Sequence, residues 1–225
     1  MANVSHELKT PMTTIGGYID GMLDGTIPPE KQQHYMQIVS GEVRRLSRLV
    51  RNMLDIAKLQ AMGVEESRKT RFDLGEELSD VLITFEQKIY NKHLDVRVDL
   101  PDKPVWTRAE RDSITQVIYN LIENAIKFCP DGGRLSLRVQ SDGGKARVSV
   151  ENTGPTIDKD ELPLLFDRFH KADKARSADR EGWGLGLYIA KTIIGAHGGE
   201  IWANKRAGGG TEVGFRLEME DENGE

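Results

Sequence analysis

The sequence predicts an α + α/β chain in two parts: an antiparallel helical hairpin, then a sandwich of one helical layer on one mostly antiparallel sheet. Three observations carry this. Apolar residues near the start recur in alternating steps of four and three. That period stops at Ala61-Met62-Gly63. Beyond Thr70, strand-like alternation and turn dipeptides interleave with amphipathic helical stretches.

Leu8, Met12, Ile15, Ile19 and Met22 form the first stripe, and Val39, Val43, Leu46, Val50, Met53 and Ala57 the second. Both match a bundle or coiled-coil seam. Asp24-Gly25-Thr26-Ile27-Pro28-Pro29 between them supplies turn and helix-start chemistry, and so short a connection forces antiparallel helices. A lone hairpin has two apolar faces and little core, so a second copy completing a four-helix bundle is expected. The first domain is placed at residues 1–64, and the polar stretch to Thr70 is read as linker. The second is placed at residues 70–220.

In the second part a helix is expected over Leu74 to Tyr90 and a strand over Leu94 to Leu100, closed by Pro101. Ser113 to Phe128 reads as an amphipathic helix. Alternating runs Arg134 to Gln140 and Lys145 to Val150 flank Asp142-Gly143-Gly144, a hairpin signal. A helix from about Leu185 to Ala196 follows, then strands near Ile201 and Val213. The acidic tail from Glu218 is expected to fray.

Of 225 residues, 30% are charged and 38% hydrophobic, a globular profile. The formal net charge of −5 argues against a surface built mainly for nucleic acid. Cys129 is the single cysteine and has no partner for an internal disulfide, which fits a reducing compartment. No apolar run is long enough to span a bilayer. The chain opens inside an apparent helix, so it reads as a fragment of a longer protein.

His6 stands in Ser5-His6-Glu7-Leu8-Lys9-Thr10-Pro11, two positions before the seam residue Leu8, and so faces away from the seam. An exposed neutral imidazole is a competent nucleophile near neutral pH. Glu7 is placed to orient it or take its proton, and Pro11 breaks the helix hydrogen bonding just beyond. Composition alone would leave an isolated surface histidine inert. His34 and His93 are read that way, and His197 as a residue that ends a helix.

On the Ser113–Phe128 helix, Asn120, Asn124 and Lys127 share one face, opposite Ile114, Val117, Ile118, Leu121, Ile122 and Ala125. Two carboxamides aligned with an ammonium suit a hydrated magnesium ion and phosphate oxygens. Glu151-Asn152-Thr153-Gly154-Pro155-Thr156-Ile157 follows a strand with loop composition. Gly182-Trp183-Gly184-Leu185-Gly186-Leu187 opens a helix with free N–H groups. It is neither a P-loop nor a dinucleotide fingerprint, because no Gly-Lys-Ser/Thr follows and Ile189 stands where a third glycine would.

Val4 to Pro11 resembles the H-box of sensor histidine kinases, and Gln116 to Phe128 is similar to the N-box of that family. Glu151 to Ile157 resembles its G1 box, Leu165-Phe166-Asp167-Arg168-Phe169 its F-box, and Gly182 to Leu187 its G2 box. Gly209-Gly210-Thr211 resembles its final Gly-Thr. The boxes occur in the family's order over nearly the whole chain. The resemblance implies a Bergerat-type ATP-binding fold and a homodimer. It implies ATP as phosphoryl donor with Mg2+, and a response regulator receiver domain as acceptor.

By the same resemblance His6 is the phosphoacceptor, Glu7 assists the kinase step and Thr10 positions water for dephosphorylation of the partner. Asn120 and Asn124 hold magnesium and phosphates, and Lys127 binds phosphate. Phe128 lies against the base, and Asn152 and Gly154 belong to the adenine loop. Gly182, Gly184, Leu185, Gly186 and Leu187 cradle phosphates, and Thr211 joins an adenine-site water network. Phe166 and Phe169 are read as packing, and Arg168 as approaching the γ-phosphate or the histidine helix. The stretch from His170 to Glu181 is read as a lid. The family places such segments in the cytoplasm, with any membrane contact through parts outside this chain.

The sequence departs from the family at Asn152, where an aspartate is usual, and at Thr156, where a glycine is usual. Those departures support one rival reading, a phosphotransfer scaffold with weak nucleotide binding; a second rival, independent of them, is a Bergerat-fold ATPase. The second is disfavoured because such ATPases carry a carboxylate where this chain has Asn120.

Overall fold

The computed structural model describes residues 2–170, 184–206 and 208–220; side chains are described from Leu8 onward, except at 55, 58, 59, 61 and 62. The chain divides into two units, Met1–Ala57 and Lys58–Glu225.

In the first unit, α1 (Ala2–Leu23) and α2 (Pro29–Met62, whose last turns belong to the second unit) form the predicted hairpin. Asp24 shapes the turn: its carboxylate accepts the Thr26 N–H at 2.8 Å, while the Ile27 N–H reaches the Gly21 carbonyl at 2.7 Å. Gly25 takes φ +80° there. The helix continues through Pro11. Within the hairpin the rings of Tyr18 and Tyr35 lie 4.9 Å apart, centre to centre. Leu49 and Ile56 are buried, at 0% and 7% exposure, whereas Val43 and Val50 remain 46% and 44% exposed. Met12, Ile19, Val43, Val50 and Leu54 leave an apolar stripe of the hairpin open.

The second unit begins its regular structure with a 3-10 turn (Glu66–Arg68) and β1 (Thr70–Asp73). β1 pairs antiparallel with β3 (Trp106–Ala109) in a two-stranded sheet that the sequence reading did not foresee. Asp73 then caps α3 (Leu74–Ile83), accepting the N–H groups of Gly75 at 3.1 Å and Val105 at 2.9 Å. The single helix expected over Leu74 to Tyr90 is two helices, α3 and α4 (Glu86–Asn91). The break falls at Thr84-Phe85. The Thr84 hydroxyl bonds back to the Val81 carbonyl at 2.7 Å, and Phe85 turns into the core at 1% exposure.

The remaining elements are β2 (Asp95–Asp99), α5 (Arg111–Phe128), β4 (Arg134–Asp142), β5 (Lys145–Asn152), a 3-10 turn (Pro163–Phe166), α6 (Gly186–Ala196), β6 (Glu200–Lys205) and β7 (Thr211–Glu218). Their five-stranded sheet has the order β2-β4-β5-β7-β6. β2 runs parallel to β4, and the other pairs are antiparallel, so the sheet is mixed. Asp142 to Lys145 close the predicted hairpin, with φ positive at both Gly143 and Gly144. Two ion pairs, Arg134–Asp95 at 2.8 Å and Arg138–Asp99 at 2.7 Å, pin the edge strand β2 to β4.

The core lies between this sheet and the helices α3, α5 and α6. Leu135, Leu137, Val148 and Phe215 rise from the sheet to meet Ile114, Ile118, Leu121 and Ile122 of α5, with Ala190 and Ile194 of α6. Glu77 of α3 is buried against α5, where it accepts hydrogen bonds from Arg111 Nε at 2.6 Å and from the Thr115 hydroxyl. On the other face of the sheet Trp202 lies across β7. A Cβ at Gly214 would stand 2.4 Å from its ring, so only glycine admits the indole there.

His197 caps the C-terminus of α6 as predicted. Its Nε2 accepts the Glu110 N–H at 3.2 Å, which leaves Nδ1 protonated to donate to the Ile193 carbonyl at 2.8 Å. Burial holds the ring below the ordinary histidine pKa. That effect outweighs the Ile193 carbonyl and the Glu110 carboxylate, which favour the cation; Lys69 adds to the lowering. A depressed folded-state pKa contributes stability that is complete above the unfolded value, about 6.5, and is lost as pH falls through the folded value. Unfolding free energy measured by urea titration should therefore decline on acidification below about pH 6.5. His197→Gln, which keeps an acceptor without titrating, should show a shallower decline; an identical slope would remove His197 from that dependence.

Candidate functional site

Four segments distant in sequence meet at one end of the sheet in the second unit. The first is the face of α5. Its apolar side, Ile114 through Ile126, is buried, and Asn120, Asn124, Lys127 and Phe128 of the opposite face are half-buried. Asn120 Nδ2 is a buried donor with no hydrogen-bond partner among the described residues. Such a group costs stability unless an acceptor arrives. Lys127 Nζ stands 5.7 Å from the centre of the Phe128 ring.

The second is the start of α6. Gly186 packs beside Asn120: a Cβ there would sit 3.7 Å from Asn120 Oδ1. Among the described residues no side chain caps this helix, so its first N–H groups, from Gly186 onward, find no cap there and lie beside Asn120. Gly184 takes φ +65° and lies so near the His170 carbonyl that a Cβ would stand 2.6 Å from it. Leu185 and Leu187 are core residues, at 3% and 9% exposure, so what they offer a ligand is backbone. Gly182 falls outside the described residues, as does most of the segment read as a lid.

The third and fourth are the loop after β5 and the start of β7. Asn152 and Thr211 are directly opposed across the strand pair, each 7% exposed. Asn152 Nδ2 donates to the Thr153 carbonyl at 2.9 Å, and Oδ1 has no donor among the described residues. The amide is thereby turned so that its oxygen is the available group. Gly154, at φ +152°, lies against the end of α5: a Cβ would stand 2.7 Å from the Phe128 carbonyl oxygen. Gly210 is tighter still, with 2.1 Å to the Asn152 carbonyl oxygen. The Thr153 hydroxyl accepts the Arg134 N–H at 2.8 Å and secures the loop to β4.

The sequence-predicted residues Asn120, Asn124, Lys127, Phe128, Asn152, Gly154, Gly184, Gly186 and Thr211 thus lie on segments that converge. The donor set fits a phosphate-bearing ligand: an orphaned amide N–H, an ammonium and open backbone N–H groups. For a divalent ion the chain offers the two carboxamides of α5, and no group of three or more acidic, cysteine or histidine ligands exists among the described residues. That set suits a magnesium ion that keeps water and phosphate oxygens as its remaining ligands. Phe166 is buried and Phe169 half-buried, as read from the sequence. Arg168 instead donates to Gln60 at 3.1 Å, and its guanidinium stacks 4.6 Å from the centre of the Tyr188 ring.

In the first unit His6, Glu7 and Thr10 all lie on α1, and Thr10 is exposed. The side chains of His6 and Glu7 are outside those described.

A layer of helices on a mixed sheet, with glycine-lined loops and an asparagine-bearing helix at one end, defines a nucleotide-binding ATPase-like module preceded by a helical hairpin. Comparisons with known proteins agree. Residues 109–221 match the family of histidine kinase-, DNA gyrase B- and HSP90-like ATPases, and residues 1–61 match the His Kinase A (phospho-acceptor) domain. The sensor histidine kinase WalK of Bacillus subtilis (strain 168) is 34% identical over 225 residues, 99% of this chain and 36% of that protein. The sensor protein SrrB of Staphylococcus aureus (strain MRSA252) is 34% identical over 96% of this chain and 37% of its own length. Among solved structures, the histidine kinase AdeS of Acinetobacter baumannii superposes with TM-score 0.77 at 25% identity, covering 96% of this chain and 98% of that one. The histidine kinase ThkA, solved in complex with the response regulator protein TrrA, gives 0.76 at 31% identity over 96% of this chain and 60% of that one. The chain belongs to the two-component sensor histidine kinases, and it spans a little over a third of the length of the curated relatives it matches.

Gly154→Ala should weaken ATP binding by at least about tenfold, since the new methyl meets the Phe128 carbonyl in a backbone region costly for alanine. Calorimetric titration with Mg-ATP, with circular dichroism as the check on folding, measures this.

Proposed function

We propose that this chain is the catalytic core of a histidine kinase that phosphorylates its own His6 from ATP and passes the group to an aspartate of a response regulator. The observation that carries the reading is the buried Asn120 Nδ2, without a partner among the described residues, beside the start of α6, a donor cluster that wants phosphate oxygens. The His6 motif on α1 supplies the matching acceptor. In the reaction the His6 ring nitrogen attacks the γ-phosphorus in line, the N–P bond forms, and the bond to the ADP oxygen breaks. Glu7 accepts the ring proton. Lys127 and the first N–H groups of α6 hold phosphate oxygens, and Asn152 Oδ1 accepts from the adenine amino group, with Thr211 beside it. Asn120 and Asn124 would hold Mg2+, which when bound neutralises charge on the phosphates.

Residues 1–64 act as the dimerisation and phosphoacceptor hairpin and residues 70–220 as the ATP-binding domain. ThkA, crystallised with a response regulator protein, supports the partner class. Glu7 and Thr10 support a secondary phosphatase action on that partner. No helix among the described residues is long and apolar enough to cross a membrane, and the sensor kinases it resembles support a cytoplasmic place for this portion. The exposed stripe of Val43, Val50 and Leu54 supports a homodimer.

Incubation with γ-labelled ATP should yield an acid-labile, base-stable label on the wild-type chain. His6→Ala should lose that label while keeping its calorimetric affinity for Mg-ATP; label persisting in the variant would overturn the assignment. Sedimentation should find a dimer that Val50→Glu shifts toward monomer, and a monomer at high wild-type concentration would remove the bundle.

A further inference from the structure

We infer that Lys92, which lies in none of the nucleotide-site segments, is a positioning residue for that site, acting through the end of α5. This rests on the nucleotide site proposed above. Lys92 follows α4 as its C-terminal cap, and its ammonium reaches across to α5. Nζ donates to the carbonyls of Ile126 at 2.8 Å, Lys127 at 3.2 Å and Cys129 at 2.6 Å. An ammonium has three protons, and all three are used.

The carbonyls of a last helical turn have no partners within the helix. In α5 the chain also cannot turn back on itself with backbone N–H groups at once, because Pro130 follows the capping Cys129 and has none. Lys92 supplies the missing donors and a positive charge at the negative end of the helix dipole. Its own carbonyl accepts the Gly132 N–H at 2.8 Å, so one residue holds both sides of the turn that leaves α5.

That turn sets the geometry of the site. Lys127 and Phe128 occupy the last turn of α5. The Phe128 carbonyl oxygen is the surface on which Gly154 rests, and Asn152 Nδ2 lies 3.3 Å from the same Cβ position. Release of the three carbonyls would let the last turn fray and shift the phosphate-side ammonium and the adenine-side loop together. The chemistry at His6 would keep its groups. The effect therefore belongs in nucleotide affinity rather than in the rate of transfer from bound ATP.

Lys92→Met should raise the calorimetric Kd for Mg-ATP roughly tenfold. It should raise the KM for ATP in autophosphorylation to match, with kcat changed less than about twofold, and Lys92→Arg should recover most of the affinity. Lys88→Met serves as control. Lys88 joins the same two helices by an exposed pair with Glu123 at 3.2 Å, and its loss should leave Kd unchanged. All titrations belong well below the melting temperature of each variant, and Lys92→Gln replaces Lys92→Met if the latter does not fold. A lowered melting temperature with unchanged Kd overturns the inference and leaves Lys92 a residue of stability alone. A fall in kcat at unchanged KM overturns it also. If the wild-type chain itself binds no Mg-ATP, the site reading fails first, and this inference with it.

Discussion

The second unit depends on the antiparallel pairing of β5 with β7, in which Asn152 opposes Thr211 and Lys145 opposes Glu218. These are the central strands, and their inward residues Val148, Val150, Val213 and Phe215 are buried. Side chains alternate along a strand, so a slip of one residue would turn that whole set outward. The same register brings the β5 exit loop and the β7 entry loop to one spot. Gly210 can lie on the Asn152 carbonyl only because it has no side chain. Arg206 adds a lock, donating its backbone N–H to the Gly210 carbonyl while its guanidinium meets Glu151 at 2.9 Å.

α5 then translates sheet order into site order. Its buried side is fixed by packing, and Glu77 clamps its first turns through Arg111 and Thr115. The face that remains carries amides and an ammonium, with no carboxylate at Asn120 or Asn124 to activate water. Under the function proposed above, such a face would hold phosphates without inviting hydrolysis, which suits transfer to a histidine better than turnover to free phosphate. At Asn152 the absent charge is partly offset by orientation. One of its two amide N–H groups donates to the Thr153 carbonyl, which fixes the orientation and leaves the oxygen available as an acceptor.

Much of this was legible in the sequence for identifiable reasons. Asp142-Gly143-Gly144 announces its turn because both glycines need positive φ, and the α5 stripe announces its buried side by period. The split at Thr84-Phe85 was not legible, since local helical preference runs through it and the break is decided by where the Phe85 ring is buried. Nor was the β1–β3 pair, whose strands are short and whose partners lie far apart in sequence. On the hairpin, the exposed Met12, Ile19, Val43 and Val50 all belong to the stripes that the helical period picks out. Lys92 gave no signal because a lysine after a helix is ordinary, and its three acceptors belong to backbone that sequence does not display.

The hairpin poses the remaining energetic question. Met12 at 60%, Val43 at 46%, Val50 at 44% and Leu54 at 64% exposure leave a run of apolar surface in water. Burying such a side chain fully is worth about 1.5–3 kcal/mol, and these are already half covered, so each holds roughly 1 kcal/mol in reserve. A single copy forgoes that sum, while a symmetric pair collects it twice, once from each chain. In such a pair the stability of the helix that carries His6 would be tied to chain concentration by mass action. A side chain on such an element would be well ordered when the pair forms and less so when it does not, so under the function proposed above pairing would become a condition of presenting His6 as a nucleophile.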